Sequence, residues 1–296
     1  MTILAGFSGS RQGPAPLNLA AQLARTTGEK IIAAVVVERN QIAGDEQLES
    51  EFQELRKAQA LESLTRVVDH MGAGLDVSIV AYDSTSIPRG ITELAQQHNA
   101  DVVVVGSSSS GLLGRIALGS VTERLVHTAS VPVAIAPRGY QSSPVPITRL
   151  TAAYGGAADA VGLIGSCLDL SQRWSTRMRV ASFNVRPFTT FGGALEPTAE
   201  NLIVRQWAGR IRDSVAAQLD DVLSNSAVSG VDVVVGVGTD WPTAVDSIAW
   251  EPGDLLVLGS GAAGPVAQVF LGSAAAKILR NLPVPALIVP RRSSTQ

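Results

Sequence analysis

One cysteine, Cys167, occurs in the 296 residues, so an internal disulfide is excluded and a reducing, cytoplasmic compartment is expected. Cys167 sits among Leu163, Ile164 and Leu168 and is expected as a packed core thiol. The three histidines, His70, His98 and His127, stand far apart with no second histidine at metal-ligand spacing, and are expected as capping or surface residues near helix ends. No apolar run approaches the ~20 residues a membrane span needs. The first residues, MTILAGFSGS, carry no basic region before their short apolar run, so no signal peptide is expected. Excess charge of one sign is missing too: a net charge of −3 gives no general attraction to nucleic acid or to anionic membranes. A nucleophile elbow is absent, because Gly6-Phe7-Ser8-Gly9-Ser10 lacks the final glycine in register. The G-x-x-x-x-G spacings at Gly106/Gly111 and Gly259/Gly264 have Leu112 and Pro265 where a Walker lysine would stand.

What is present is a soluble globular pattern, 46% apolar with 17% charged residues, in a chain long enough for two domains. The first half alternates apolar runs with helical stripes. Strands are expected at Thr2 to Phe7, Ile31 to Val37, Leu75 to Ala81, Val102 to Val105 and Val131 to Ala136. Between them, Leu17 to Ala24 gives one helix and Leu48 to Met71 a long one with Phe52, Leu55, Leu61, Leu64 and Val68 near a 3.6 period. A short helix starts near Pro88. The second half repeats the order, with Leu150 to Tyr154, Ala160 to Leu170, Met178 to Val185, a long helix around Leu202 to Leu223, Val231 to Val237, Ala244 to Ala249, Leu255 to Leu258, Ala274 to Leu279 and Ala286 to Val289. Strands apolar on both faces, alternating with helices, point to an α/β chain built on parallel sheets.

The repeat is numerical. Asp101 and Asp254, Gly106 and Gly259, Gly119 and Gly272, Ser120 and Ser273, Pro132 and Pro285, and Pro137 and Pro290 are each separated by 153 positions. Arg138 to Ile147, with Gly139, Ser142, Ser143, Pro144 and Pro146, has the composition of a short stiff connection. Two domains are therefore expected, 1–139 and 147–296. In each, an apolar strand ends in small residues and opens a helix, which leaves backbone N–H groups and the positive end of a helix dipole for an anion such as phosphate.

Each half resembles a universal stress protein domain, and the chain resembles a tandem member of that family. The resemblance lies in Gly106, Ser109 and Gly119-Ser120, and again in Gly259, Ala262 and Gly272-Ser273, with the lead-in Ala100-Asp101 through Gly106-Ser107 and the exit Pro132 through Pro137. It implies two doubly wound, Rossmann-like five-stranded parallel sheets (adenine nucleotide alpha hydrolase-like), each with strand one beside strand four. It also implies ATP or another adenine nucleotide, with Mg, in the first half at Ser8, Val36, Gly106, Ser109, Gly111, Arg115, Gly119, Ser120 and Val121. A weaker second site would comprise Gly259, Ala262, Gly272 and Ser273. At the end of strand one the family's nucleotide binders carry an aspartate, where this chain has Ser8 and, in the second half, Tyr154, whose ring could partly fill a base pocket. The middle motif glycine is replaced by Ser109 and Ala262; at φ > 0 such a replacement costs roughly 1 kcal/mol.

The expected function is a cytoplasmic stress-response binding or regulatory module rather than an enzyme, with slow ATP hydrolysis compatible with the loop. The residues leave open a nucleotide-independent protein-interaction scaffold and an adenine-nucleotide-dependent enzyme of a related fold. The family dimerises through its last strand, so self-association is expected through Val131 to Pro137 and Val284 to Pro290, within one chain or between chains. Arg173, Arg177, Arg179 and Arg186 are expected as a solvated face, with an acidic partner as the sharper reading. Trp174, Trp207, Trp241 and Trp250 are expected in core and rim packing.

Overall fold

Short runs of Val, Ile, Leu and Ala, bare of side chains that need water, become strands buried on both faces. The protein is represented by a computed structural model that describes residues 2–9, 13–39, 46–72, 74–155, 160–185, 206–207, 209–214, 216–217, 231–259, 261–262, 269–270 and 272–290. The first half runs β1 (Thr2–Phe7), α1 (Pro14–Thr27), β2 (Lys30–Glu38), α2 (Glu46–Val68), β3 (Val77–Ser84), α3 (Ile87–Gln97), β4 (Val102–Gly106), α4 (Ser120–Thr128) and β5 (Val133–Ala136). The second runs β6 (Arg149–Ala153), α5 (Ala160–Arg173), β7 (Arg177–Val185), β8 (Asp232–Gly238), α6 (Trp241–Asp246), β9 (Asp254–Gly259), β10 (Gly261–Ala262), β11 (Val269–Phe270), α7 (Ser273–Asn281) and β12 (Ala286–Val289).

Ten strands form one sheet in the order β3-β2-β1-β4-β5-β12-β9-β6-β7-β8. Each half is parallel and has its first strand beside its fourth, as expected. The halves join where β5 and β12 pair antiparallel, Ile135 opposite Ala286 and Val133 opposite Ile288. Of the two arrangements expected for the segments Val131 to Pro137 and Val284 to Pro290, the structure shows the one within the chain. Both strands are interior, so neither offers an edge for pairing between chains. One core lies under α1, α2 and α5 and includes Ile3, Ala5, Leu150 and Ala152; the other lies on the opposite face and includes Leu4, Ile91, Leu125 and Leu256.

Several boundaries move for local reasons. β3 starts at Val77 and runs to Ser84, because its ladder with β2 extends from Ile31 opposite Val77 to Glu38 opposite Ser84. α6 starts at Trp241, earlier than expected, because the Asp240 carboxylate accepts from Thr243 N at 2.8 Å and Pro242 fits the first turn. The expected long helix at Leu202 to Leu223 lies mostly outside the described residues. α2 forms as expected, but its apolar stripe does not all face the core: Phe52 is 54% and Leu55 55% exposed, while Leu64 is fully buried.

The connection between halves is strapped to α1. Asn18 donates to Tyr140 O at 2.9 Å, Arg25 to Ser143 O at 2.9 Å and Gln22 to Val145 O at 2.8 Å, while Ile147 N donates to Thr26 Oγ1 at 2.7 Å. Cys167 is buried, and loss of solvation pushes its thiol up to about 12, consistent with a core role. The expected solvated arginine face is corrected for Arg179: its buried guanidinium donates to Asp254 Oδ2 at 3.4 Å and stacks 5.0 Å from the Trp250 ring centre. Arg186 lies outside the described residues.

Candidate functional site

β1 lies between β2 and β4, and the chain leaves β1 toward α1 on one face but leaves β4 toward α4 on the other. Strand ends that diverge in this way open a crevice at the carboxyl edge of the sheet. A cleft of about 600 Å³ occupies that place, a size that suits a small organic ligand.

Its rim on the β4 side is the loop from Ser107 to Gly119, held by bonds within itself. Ser108 N donates to Ala117 O at 2.7 Å; the Ser107 hydroxyl accepts from Ala117 N at 2.8 Å and donates to Ala117 O at 3.1 Å. Ile116 anchors the loop in the core. Thr122 Oγ1 donates to Gly106 O at 2.9 Å, fixing the start of α4 against the end of β4. Gly106 is a close-approach glycine, since a Cβ there would stand 3.3 Å from Pro16 Cγ of α1. Gly119 caps α4 without a side-chain hydrogen bond, so the first-turn N–H groups of Ser120, Val121 and Thr122 stay available where these residues line the cleft.

Seven of the nine expected first-half residues, Ser8, Val36, Gly106, Ser109, Gly119, Ser120 and Val121, come together around this cleft. Ser109 fits without the strain considered above: among the described residues the non-glycine positions with positive φ are Asn99 and Ser175. Two expected residues are elsewhere. Gly111 does not line the cleft; it packs on Ala117, 2.7 Å from where a Cβ would stand, and its carbonyl accepts from Arg138 Nη1. Arg115 points away, a correction to its expected role as the loop's phosphate-facing cation. Its guanidinium donates to Asn281 O and to the Asp246 carboxylate at 3.2 and 3.3 Å, in the second half. The described cleft lining holds no carboxylate to compete with Asp246 for this guanidinium.

The cation that does line the cleft was missed. Arg56 of α2 is the sole charged residue in the described lining, which contains no carboxylate, histidine or cysteine. Arg56, Gln59, Ala60 and Ser63 fall at i, i+3, i+4 and i+7, so α2 turns a largely polar stripe toward the cleft. The sequence signal was present as that spacing, but the more apolar residues Phe52, Leu55 and Leu61 competed with it.

In the second half, Ile3 opposite Val102 and Leu150 opposite Leu255 fix the correspondence. Val102 and Leu255 are related by the 153-residue offset, so Leu150 matches Ile3, Tyr154 matches Phe7, and Gly155 matches Ser8. Tyr154 is therefore not the counterpart of Ser8. Its ring is buried in the core beneath α5, and its hydroxyl lies 2.9 Å from Ser214 Oγ. The loop geometry repeats as well: Gly261 opposite Phe270 in the β10–β11 ladder stands 153 positions from the Ser108–Ala117 pair. Gly259 ends β9 against Leu163, Ala262 is paired with Val269, and Gly272 caps α7 at Ser273 without a side-chain bond. Residues 263–268, with the positions of Gly264 and Pro265, lie outside the described residues.

The universal stress protein family matches this chain over residues 1–137 and 172–290. A universal stress protein of Mycobacterium tuberculosis is 34% identical over 299 residues, covering 98% of this chain and 100% of the relative; one from Mycobacterium bovis matches equally. A solved universal stress protein structure from Archaeoglobus fulgidus superposes with a TM-score of 0.62 at 16% identity, covering 98% of both chains. At that identity it bears on the fold alone, and a structure described as a universal stress protein from Pseudomonas aeruginosa, TM-score 0.53, 16% identical and covering 98% and 93%, does the same. The described residues include no helix long and apolar enough to cross a membrane.

Proposed function

Because this chain belongs to the universal stress protein family, we propose that it is a two-repeat stress-response binding module whose first repeat holds one adenine nucleotide, ATP or a relative of it. The observation that carries the reading is the cleft at the β1–β4 switch point, with the uncapped start of α4 and a guanidinium on its walls and, among the described lining residues, no carboxylate to oppose an anion. The apolar side chains of Val36, Ile87 and Ile91 on the same walls suit a flat base. We take 1–139 and 147–296 as the two repeat domains and the cytoplasm as the compartment.

The same lining supports a reading of binding without efficient turnover. The described walls hold no histidine, cysteine or carboxylate to act as base or nucleophile, so attack on a phosphate would rest on water alone. Nor do they hold a carboxylate for a magnesium ion, which therefore does not fit as a protein-held cofactor; the phosphates would be met by N–H groups, hydroxyls and Arg56. In calorimetric titration of the full chain, AMP and ATP are expected to bind at a single site, and binding persists in EDTA. Absence of heat and of thermal shift at millimolar nucleotide would overturn the reading; binding lost in EDTA would overturn its magnesium-free form.

A further inference from the structure

The cleft has two ends that attract anions, and they lie on opposite sides of β1. On one side the backbone N–H groups of Ser120 and Val121 open from the start of α4 beside β4. On the other, Arg56 reaches over β2, where its Nη1 donates to Glu38 O at 3.4 Å. Strands β2 and β4 flank β1, about 10 Å apart across the sheet, and Glu38 stands three residues further along β2 than Val35, the partner of Phe7.

The Arg56 guanidinium has five N–H donors, and the one bond to Glu38 O leaves most of its fork for a ligand. Among the described residues no carboxylate forms an ion pair with it. Its neighbour Lys57, by contrast, is held by Asp83 at 2.8 Å, and that hydrogen bond pushes the ammonium above its ordinary pKa. Gln59 and Ser63 follow Arg56 down the same helical stripe into the cleft, while α2 leaves Phe52 and Leu55 in solvent.

We propose that the cleft selects a nucleotide with two separated anionic groups: a 5′-phosphate at the start of α4, and a second phosphate, on the ribose, at Arg56. This rests on the nucleotide reading above and sharpens it. A 5′-diphosphate cannot serve both ends well, because its phosphates share one bridging oxygen and crowd the α4 side. A 3′,5′- or 2′,5′-bisphosphate carries the ribose between them. The acid nearest that end, Glu38, does not line the cleft, and its carboxylate is occupied in accepting from Ile87 N at 3.1 Å.

ADP and adenosine 3′,5′-bisphosphate are isomers, and near pH 5, below the second phosphate ionisation at about 6, both carry about two negative charges, so comparing them there isolates placement from total charge. In calorimetric titrations of the full chain, the 3′,5′- or 2′,5′-bisphosphate is expected to bind about ten-fold more tightly than ADP. Arg56→Gln should bring the isomers to within about two-fold of each other, whatever it does to AMP, and Arg56→Lys should keep part of the preference. Circular dichroism and the melting temperature of each variant show that the fold is retained. ADP binding as tightly as both bisphosphates, or a preference that survives Arg56→Gln, would overturn the proposal while leaving the nucleotide site in place. If AMP and ADP also fail to bind the native chain, the site itself is misassigned and the proposal falls with it.

Discussion

The two halves share strand order, loop pairing and glycine positions, yet they use the same frame differently at both ends of the sheet. At the amino end, the repeated aspartate stands just before β4 and at the start of β9. Asp101 Oδ2 accepts from Thr2 N at 2.8 Å, a bond to a neutral backbone group. Asp254 is fully buried and receives Arg149 through two bonds of 2.6 and 2.7 Å, Arg179 at 3.4 Å, and Glu251 N at 2.9 Å. At the carboxyl end, Phe7 and its match Tyr154 both lie in the core; the first half opens a cleft beside Phe7, and Tyr154 adds a hydroxyl that lies 2.9 Å from Ser214 Oγ. A repeat preserves backbone geometry through spacing; what each copy binds depends on a few side chains.

The largest effect expected from this comparison is on stability. Asp254→Ala leaves the buried Arg179 without its carboxylate and Arg149 with Glu251 alone, and should cost about 3–5 kcal/mol, against about 1–2 kcal/mol for Asp101→Ala. Urea denaturation of the two variants decides it, and equal losses would mean that the aspartates do the same work. A smaller, purely functional difference is expected at the helix caps. Gly119→Asp supplies a side chain that takes the first-turn N–H groups of α4, so nucleotide affinity should fall at least about ten-fold with the fold retained. Gly272→Asp, the same change in the second half, should leave affinity unaltered in the same titration. An effect of the reverse order would move the ligand to the other half. The smallest expected change comes from Arg115→Ala, which cuts a partly exposed tie between the halves and should lower stability by about 1 kcal/mol. Affinity for AMP should stay within about two-fold, because the guanidinium faces Asp246 rather than the cleft; a ten-fold loss would return Arg115 to the phosphate.

Legibility was uneven for physical reasons. Strands read well because burial on both faces demands continuous apolar runs, and the loop read well because Gly106 and Gly119 sit where backbone and side chain approach closely. The orientation of α2 did not read. Its helix has two candidate stripes, and the more apolar one was chosen, although Leu64, Val67 and Val68 with Ala60 were enough to pack it on the sheet. The place of Tyr154 was read one residue off, because Gly155-Gly156 invites an alignment with Gly9-Ser10 that the strand ladders do not follow.

By itself, the sequence determined the local and the periodic: alternating strands and helices, a 153-residue repeat, a buried thiol, and a loop whose backbone can meet an anion. Tertiary structure alone decided which residues share a space. It joined β5 to β12 within the chain, sent Arg115 across to the other half, and brought Arg56 to the cleft from a helix in the β2–β3 crossover. Those outcomes turn on helix rotation and on competition between acceptors distant in the chain, which no local pattern encodes.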